Sequence, residues 1–322
     1  MLTEVLLVVS GLGILLVAGD LLVRGAVGLA AAMKVPALLI SLTIVAFGTS
    51  APELVVTVQA VIAGSDGIAL GNIIGSNIAN VLMVLGLPAL IYPVTTHVVG
   101  LRRHAVFMLI ATAAFCAAAY TPPGHINTPI GAALFACILA YILYMLIRAI
   151  QSPEREPVID EVEEYIADDK ISIKTILFLV AGLIGLPLGA HLLVTNGSTL
   201  AEGLGVREEI IGLTIVAFGT SLPELATVVA AAVHKKSDVA IGGIIGSNIF
   251  NIFAVGGAAG LAGTAVFDPA SLRLDIPVMV IAAIILAAFV FTRRDIGRLA
   301  GAAMIVAYGA FIYFLAQSTG VL

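Results

Sequence analysis

The chain has 322 residues, of which 61% are hydrophobic and 11% are charged, and its formal net charge is −5. Soluble globular domains carry about 25% charged residues, so this composition excludes a soluble enzyme and a nucleic-acid-binding protein. We therefore expect the lipid bilayer to be its surroundings and one of its partners.

Ten apolar segments reach the length of about 20 residues that a transmembrane helix needs. They cover residues 3–27, 36–62, 67–91, 101–121, 126–148, 173–200, 208–233, 238–262, 272–292 and 297–317. With the N-terminus outside, the only basic residues in outside segments are Arg207 and Arg273, out of 15 Lys and Arg in total. This positive-inside pattern predicts an all-α, multi-pass protein of the cytoplasmic (inner) membrane, with ten transmembrane helices and both termini outside.

The two halves of the chain are related by an internal duplication. Residues 41–86 align with residues 212–257 at an offset of 171 without a gap, and 25 of the 46 positions are identical. Five spans per half is an odd number, so the second half enters the membrane from the opposite side. Inverted five-helix repeats are typical of secondary transporters, which bind their substrates at the repeat interface.

The duplication predicts three units along the chain. Residues 1–148 form the N-terminal repeat, and residues 173–322 form the C-terminal inverted repeat. The cytoplasmic connection 149–172 between them contains eight acidic residues and two basic ones. We interpret it as a solvated linker, with a regulatory cation site as the alternative.

A carboxylate lies in the middle of the second span of each repeat, in the motif Gly-Thr-Ser-x-Pro-Glu. Glu53 and Glu224 each follow a threonine, Thr49 and Thr220, by four residues, which puts each pair on one helix face. An acid at the centre of a membrane costs roughly 2.5–3.5 kcal/mol, so two of them in matching positions indicate a function. Burial as neutral acids is the alternative.

Proline precedes each of these glutamates. Pro52 and Pro223 have no backbone N–H, so the carbonyls of Gly48 and Gly219 lose their helical donors. Glycine before and proline after predict a broken helix, which membranes tolerate only where it lines a cavity or is buried in protein. The freed carbonyls, hydroxyls and carboxylate are hard oxygen ligands that suit Ca²⁺ and Na⁺.

The following span repeats a second polar set. Ser76 and Asn80 are one helical turn apart, and so are their counterparts Ser247 and Asn251. We interpret them as the other wall of the site, with hydrogen bonding between helices as the alternative. Two carboxylates give the site a charge of −2, which one Ca²⁺, two Na⁺ or two protons would neutralise. Such mutually exclusive occupancy is what an antiporter needs.

The doubled motifs Gly-Thr-Ser-x-Pro-Glu and Gly-Ser-Asn-Ile-x-Asn resemble the alpha repeats of the cation/calcium exchanger superfamily, above all its prokaryotic sodium/calcium exchangers. The resemblance implies Na⁺/Ca²⁺ antiport by alternating access, with spans 1 and 6 sliding across a fixed eight-helix body. The implied calcium ligands are Glu53, Glu224 and the carbonyls of Thr49 and Thr220. The implied additional sodium ligands are Ala46, Ser50, Ser76, Ala217, Ser221 and Ser247. Asn80 and Asn251 would form a central polar pair.

The sequence departs from some branches of that superfamily. Potassium-dependent members resemble this pattern but have Asp at the position of Asn251, so K⁺ co-transport is not expected. A Ca²⁺/H⁺ antiporter would use the same glutamates, but that branch tends to lack Thr-Ser before its acid. A passive cation channel and an intramembrane serine protease using Ser50 or Ser221 are rival hypotheses. We expect a transporter, not an enzyme, with no cofactor beyond the transported ions and with a monomer sufficient for transport.

Three residues are candidates for gating. Asp20 and Arg24 are spaced for an interfacial ion pair, with a gating role for Asp20 as the alternative. His191, opposite Asp20 in the repeat alignment, is interpreted as a packing or interface residue, with a pH-sensitive gate as the alternative. Pro187 is expected to bend the sixth span. The histidines near inside loops are interpreted as solvated: His97, His104 and His234.

Overall fold

The computed structural model describes residues 2–151, 172–203 and 217–318, and these residues are almost entirely helical. The first half contains α1 (Leu2–Met33), α2 (Ala37–Thr49), α3 (Ala51–Ile62), α4 (Asp66–Ile91), α5 (Leu101–Tyr120), β1 (His125–Ile126) and α6 (Thr128–Gln151). The second half contains α7 (Ile173–Gly203), α8 (Ala217–Gly219), α9 (Leu222–Val233), α10 (Ser237–Ala262), β2 (Ala265–Val266), α11 (Pro269–Arg273), α12 (Asp275–Thr292) and α13 (Arg298–Ser318).

The described helices agree with most of the predicted spans. Eight of them are long and apolar enough to cross a membrane, and the bent pair α2 and α3 would make nine. The shorter apolar helix α9 has 12 residues and is the counterpart of α3 at the offset of 171. The start of the predicted span 208–233 and most of the predicted linker 149–172 lie outside the described residues.

Helices α4 and α10 form the centre of the molecule. In their most apolar windows 83% and 94% of the residues are buried, against 28% for α1 and 22% for α7. A helix that is apolar all round and buried lies in a core, while exposed apolar faces on outer helices suit contact with lipid. The motif residues on α4 and α10 are therefore held away from the lipid.

The equivalent helices α1 and α7 pack against each other in antiparallel directions. Gly11 lies against Gly189, and Gly25 lies against Leu179, so the numbers fall along α7 as they rise along α1. A Cβ atom at Gly11 would be 2.8 Å from the carbonyl oxygen of Gly189. Small residues of this kind let the backbones of membrane helices approach closely.

The two halves interlock through their inner and outer helices. Gly86 on α4 contacts Gly301 on α13, and Gly257 on α10 contacts Gly131 on α6. In each case the third predicted span of one repeat packs on the fifth span of the other. The predicted units 1–148 and 173–322 are therefore sequence repeats whose cores are built together.

Two short backbone pairings between loops also join the two halves. Val94, after α4, pairs with Ile296, before α13, in an antiparallel bridge. β1, between α5 and α6, pairs with β2, which follows α10, through His125 with Val266 and Ile126 with Ala265. At the offset of 171, Val94 corresponds to Ala265 and His125 corresponds to Ile296, so both pairings join equivalent segments of the two halves.

Within the described residues, three stretches of π-helix interrupt the α-helices: Ser41–Val45 in α2, Asn80–Val84 in α4 and Asn251–Val255 in α10. The last two begin at the motif asparagines and are equivalent at the offset of 171. Single π-turns inside α-helices occur frequently at functional sites. Their positions mark the same part of the chain that the repeated motifs mark.

Candidate cation site

Both glutamate motifs are broken helices. The chain bends by 43° between α2 and α3, and Ser50 at the break has φ −85° and ψ 5°. Ser221 has nearly the same conformation, φ −86° and ψ 3°, just before α9 begins at Leu222. The break that the glycine and proline positions predict is therefore confirmed in both repeats.

Each break places its glutamate at the start of a new helix. Glu53 lies in the first turn of α3 and Glu224 in the first turn of α9. The exposed fractions of the two residues are only 1% and 2%. The N-terminus of a helix carries a partial positive charge, which stabilises a carboxylate there. Two buried carboxylates are thus held where the backbone compensates part of their charge.

The surroundings of the glutamates contain buried oxygen atoms without a hydrogen-bond partner among the described residues. They are Oε1 and Oε2 of Glu53, Oε2 of Glu224, Oδ1 of Asn80, Oδ1 of Asn251 and Oγ of Ser221. Buried polar atoms in native proteins nearly always have partners, so a cluster of unpartnered oxygens calls for an explanation. A cation is the partner that fits, because all of these atoms are hard oxygen ligands.

Of the acids in the part of the chain that the structure describes, two contribute to this cluster. Within the described residues no group of three or more His, Cys, Asp and Glu side chains is close enough to hold a metal ion. The remaining ligands must therefore be neutral oxygens from Ser, Thr, Asn and the backbone. Such a set holds Ca²⁺ or Na⁺ with less charge than a permanent calcium site, which suits an ion that must leave again.

The polar side chains around the glutamates bond across the repeat interface. Ser50 donates to Oε1 of Glu224 at 3.2 Å, and the hydroxyls of Thr49 and Ser247 are 3.4 Å apart. All four side chains are at most 3% exposed. The site is therefore shared between the halves, as the inverted repeat predicts.

The asparagines extend this network. Nδ2 of Asn251 donates to Oγ of Ser76 at 3.0 Å, and Nδ2 of Asn80 donates to Oδ1 of Asn248 at 3.1 Å. The two predicted central asparagines thus bond to partners from the opposite repeat and leave one oxygen each unpartnered. These bonds place the polar side chains of α4 and α10 at the repeat interface, and their role as the second wall of an ion site stays a prediction.

The remaining predicted residues are placed as follows. Ala46 is buried, and its carbonyl accepts from the Ser50 backbone N–H at 3.0 Å and from Thr49 Oγ1 at 3.3 Å. Ala217 begins the short helix α8, and Thr220 lies in the turn after it. These residues flank the two helix breaks.

Asn77 and Asn248 belong to the site region but are missing from the predicted set. Asn248 accepts the bond from Asn80, and Asn77 donates to the Ile73 carbonyl of its own helix at 2.7 Å. Both are about 2% exposed. Their repetition in the Gly-Ser-Asn motif of each half was a signal that could have identified them.

Asp20 forms the predicted ion pair with Arg24 at 2.8 Å. It also bonds to His234, which lies just after α9, so the prediction of a solvated His234 is wrong. His104 is 1% exposed and its Nδ1 is 3.0 Å from the Tyr141 hydroxyl, so it is not solvated either. Hydropathy predicts that a residue lies near a helix end, but it does not show whether the side chain points into solvent or into the protein.

The other two gating candidates lie on α7. His191 is exposed, which agrees with the predicted interface position, and its alternative role as a pH-sensitive gate stays a prediction. Pro187 lies inside α7 between Gly185 and Gly189, both of which lie against α1. The bend expected at Pro187 stays a prediction.

The protease hypothesis finds no support in the hydrogen bonds. Among the described residues, no histidine bonds to Ser50 or Ser221. A serine nucleophile needs such a base within hydrogen-bond reach.

Comparison with protein families gives a match over both halves. The family model for the sodium/calcium exchanger protein matches residues 3–149 and 174–317. The inner membrane protein YrbG of Escherichia coli strain K12 is 34% identical over 98% of this chain and 97% of its own length. The sodium/calcium exchanger MaX1 of Methanosarcina acetivorans is 32% identical over 96% of this chain and 97% of its own length.

A solved structure shares the fold. The sodium-calcium exchanger NCX_Mj, soaked with zero Na⁺ and Ca²⁺, superposes with a TM-score of 0.82. The sequence identity is 28%, and the match covers 97% of this chain and 98% of that one.

Proposed function

The chain belongs to the sodium/calcium exchanger protein family, and from this we propose that it exchanges Na⁺ for Ca²⁺ across a membrane as a secondary antiporter. It is a multi-pass membrane protein and a transporter, not an enzyme. The observation that carries the proposal is the cluster of unpartnered buried oxygens around Glu53 and Glu224 at the repeat interface.

Charge balance explains why the two ions exclude each other. Glu53 and Glu224 give the site a charge of −2, and bringing an uncompensated charge into a low-dielectric interior is costly. One Ca²⁺ or two Na⁺ cancel that charge, but both sets together would leave a surplus of positive charge. Binding of one ion therefore requires release of the other, which couples the two fluxes.

We propose that Ca²⁺ is held by the two glutamates and the carbonyls of Thr49 and Thr220. Sodium would bind at the same site and use further oxygen ligands as well. The further ligands are Ala46, Ser50, Ser76, Ala217, Ser221 and Ser247, with Asn80 and Asn251 as the central polar pair. Support comes from the burial of Glu53 and Glu224 and from the helix breaks beside them, where carbonyl ends of half-helices face cations in other transporters.

We further propose ten transmembrane helices in two inverted repeats, with both termini outside and the chain in the cytoplasmic membrane. The antiparallel packing of the equivalent helices α1 and α7 supports the inversion, and the positive-inside distribution supports the orientation. One chain contains both half-sites, so a monomer would suffice for transport.

Alternating access in this proposal is a movement of α1 and α7 against the other helices. They form a close pair through small residues along their whole contact, from Gly11 at Gly189 to Gly28 at Thr175. Such a pair can move as a unit. Its contacts with the rest of the molecule include Gly19 at Ala226 and the Asp20 bond to His234.

The experiment that tests the function is ⁴⁵Ca²⁺ uptake into proteoliposomes. Vesicles loaded with Na⁺ are compared with vesicles loaded with choline at the same pH, with and without an imposed proton gradient. We expect uptake that requires internal Na⁺ and is indifferent to the proton gradient. Uptake that follows the proton gradient without Na⁺ would overturn sodium coupling and favour Ca²⁺/H⁺ exchange.

A further inference from the structure

Asn72 joins the two helices that carry the first repeat's half of the site. Its Nδ2 donates to the backbone carbonyl of Glu53 at 3.1 Å and to Oγ1 of Thr57 at 2.8 Å. The backbone carbonyl of Asn72 accepts a hydrogen bond from the hydroxyl of Ser76 at 2.7 Å. One residue on α4 therefore fixes the first two turns of α3 and also bonds to a residue of the site's second wall.

Among the described residues of the second repeat, this link has no counterpart. At the offset of 171, Asn72 corresponds to Gly243 and Thr57 corresponds to Val228, neither of which has a polar side chain. The nearby hydroxyl of Thr227 donates to the carbonyl of Pro223 in its own helix at 2.8 Å. A Cβ atom on Gly243 would be 3.4 Å from Ser41 Oγ of α2, so a side chain at this position would begin in contact with α2.

This difference matters because α3 starts after a break. The bend of 43° at Ser50 means that helix continuity with α2 does not fix the direction of α3. Within the described ranges, the carboxylate of Glu53 has no hydrogen-bond partner, whereas Glu224 accepts from Ser50. The bonds from Asn72 therefore fix Glu53 through its backbone, and the carboxylate stays free to bind an ion.

We propose that Asn72 is a positioning residue for calcium, which holds Glu53 where it can share one ion with Glu224. The proposal rests on the function proposed above. An ion bridging two carboxylates from different helices needs both within about 0.5 Å of the binding geometry, and a preset ligand lowers the entropy cost of binding. The first repeat then supplies the preset half of the site, and the second repeat supplies the half that adjusts.

The test compares one substitution in the two repeats. Thr57→Val removes an acceptor of the Asn72 amide, whereas Thr227→Val removes only a bond within its own helix at similar burial. Asn72→Ala removes both amide bonds to α3 and leaves the backbone bond to Ser76 in place. A net hydrogen bond corresponds to about a two- to tenfold change in an equilibrium constant, so we expect both Thr57→Val and Asn72→Ala to raise the apparent KM for Ca²⁺ by that factor.

Two readouts separate positioning from a merely structural role. The first is the apparent KM for Ca²⁺ against the maximal rate of Na⁺-driven uptake, where we expect KM to rise and the maximal rate to stay within about twofold of wild type. The second is the rise in melting temperature of the purified protein on adding Ca²⁺, which needs no transport. Thr227→Val should match wild type in both.

Several results would overturn the proposal. One is a folded Asn72→Ala variant with wild-type KM and a wild-type Ca²⁺-dependent melting shift. Another is an equal KM rise for Thr227→Val and Thr57→Val, which would indicate general packing. If Asn72→Ala does not fold, the pair of threonine variants decides the question. Wild-type vesicles without Na⁺-driven uptake would instead count against the proposed function, while the melting shift still tests the role of Asn72.

Discussion

The two repeats share their motif residues but not their contacts. Glu224 accepts a hydrogen bond from Ser50, whereas Glu53 does not accept one from Ser221. Asn251 donates to Ser76, whereas Asn80 donates to Asn248 and not to Ser247. Identical residues in the two repeats therefore make different contacts. This is expected of an inverted-repeat transporter, because the two halves have different conformations whenever the molecule is open to one side.

The differences between the repeats are of two kinds. Those between identical residues, such as the Ser50 and Ser221 contacts, can exchange when the molecule opens to the other side. Those between different residues, such as Asn72 against Gly243, are fixed by the sequence. We infer that the exchangeable contacts follow the transport cycle and that the fixed ones set which half of the site is rigid.

The largest expected effect tests what the repeats have in common. Glu53→Gln and Glu224→Gln each remove one of two buried charges that a divalent cation must balance. Removing one partner of a buried ionic pair costs about 3–5 kcal/mol, or at least a 100-fold loss of Ca²⁺ transport. Both variants should lose ⁴⁵Ca²⁺ uptake while eluting as folded protein. Normal calcium flux in a well-folded Glu53→Gln variant would refute the ligand assignment.

An intermediate effect tests the pairing of the equivalent helices. Gly11 and Gly182 occupy the same repeat position, and a Cβ atom there would lie 2.8 Å from Gly189 or 2.6 Å from Leu22. Overpacking costs about 1–3 kcal/mol, so Gly11→Ala and Gly182→Ala should both lower the melting temperature and slow transport.

Gly13→Ala is the matched control for the helix pair. Gly13 lies on the same helix and has nothing within 4 Å of the added carbon. Because Ala favours helix over Gly by about 1 kcal/mol, this variant should be as stable as wild type or more so. Equal destabilisation by Gly13→Ala and Gly11→Ala would show that close contact between α1 and α7 is not the cause.

The smallest expected effect sharpens the distinction between exchangeable and fixed contacts. Ser50→Ala and Ser221→Ala should each raise the Na⁺ concentration for half-maximal transport by about two- to tenfold, the range of one hydrogen bond or ligand. Calcium affinity should change less. Similar effects are expected although only Ser50 bonds to a glutamate here, because the two contacts exchange during the cycle. An equal loss of sodium and calcium affinity would point to a structural role.

Much of the site could be predicted from the sequence because the duplication repeats its chemistry. The motifs indicated the ligand types, the helix breaks and the interface position, and the broken helices at Ser50 and Ser221 agree with the structure. The individual hydrogen bonds could not be predicted, since Ser50 and Glu224 are 174 residues apart and meet only through the packing of the two halves.

Asn72 and His104 show why the remaining features were missed. A search for residues shared by both repeats discards Asn72, because its counterpart is Gly243, although the positions that differ carry the fixed asymmetry. His104 lies in the first turn of α5, close to a predicted loop, and a side chain near a loop is expected to be exposed to solvent. The structure buries it against Tyr141 of α6, a contact that depends on helix packing and leaves no local sequence signal.

The central claim is that Na⁺ and Ca²⁺ compete for one site between Glu53 and Glu224, and equilibrium binding tests it most directly. Purified protein in detergent is saturated with ⁴⁵Ca²⁺ and titrated with Na⁺, with choline as the ionic-strength control. We predict that Na⁺ displaces all of the bound Ca²⁺, with a Hill coefficient for Na⁺ above one because more than one Na⁺ replaces each Ca²⁺. Glu53→Gln should bind no Ca²⁺. Calcium that stays bound at saturating Na⁺ would contradict the central claim.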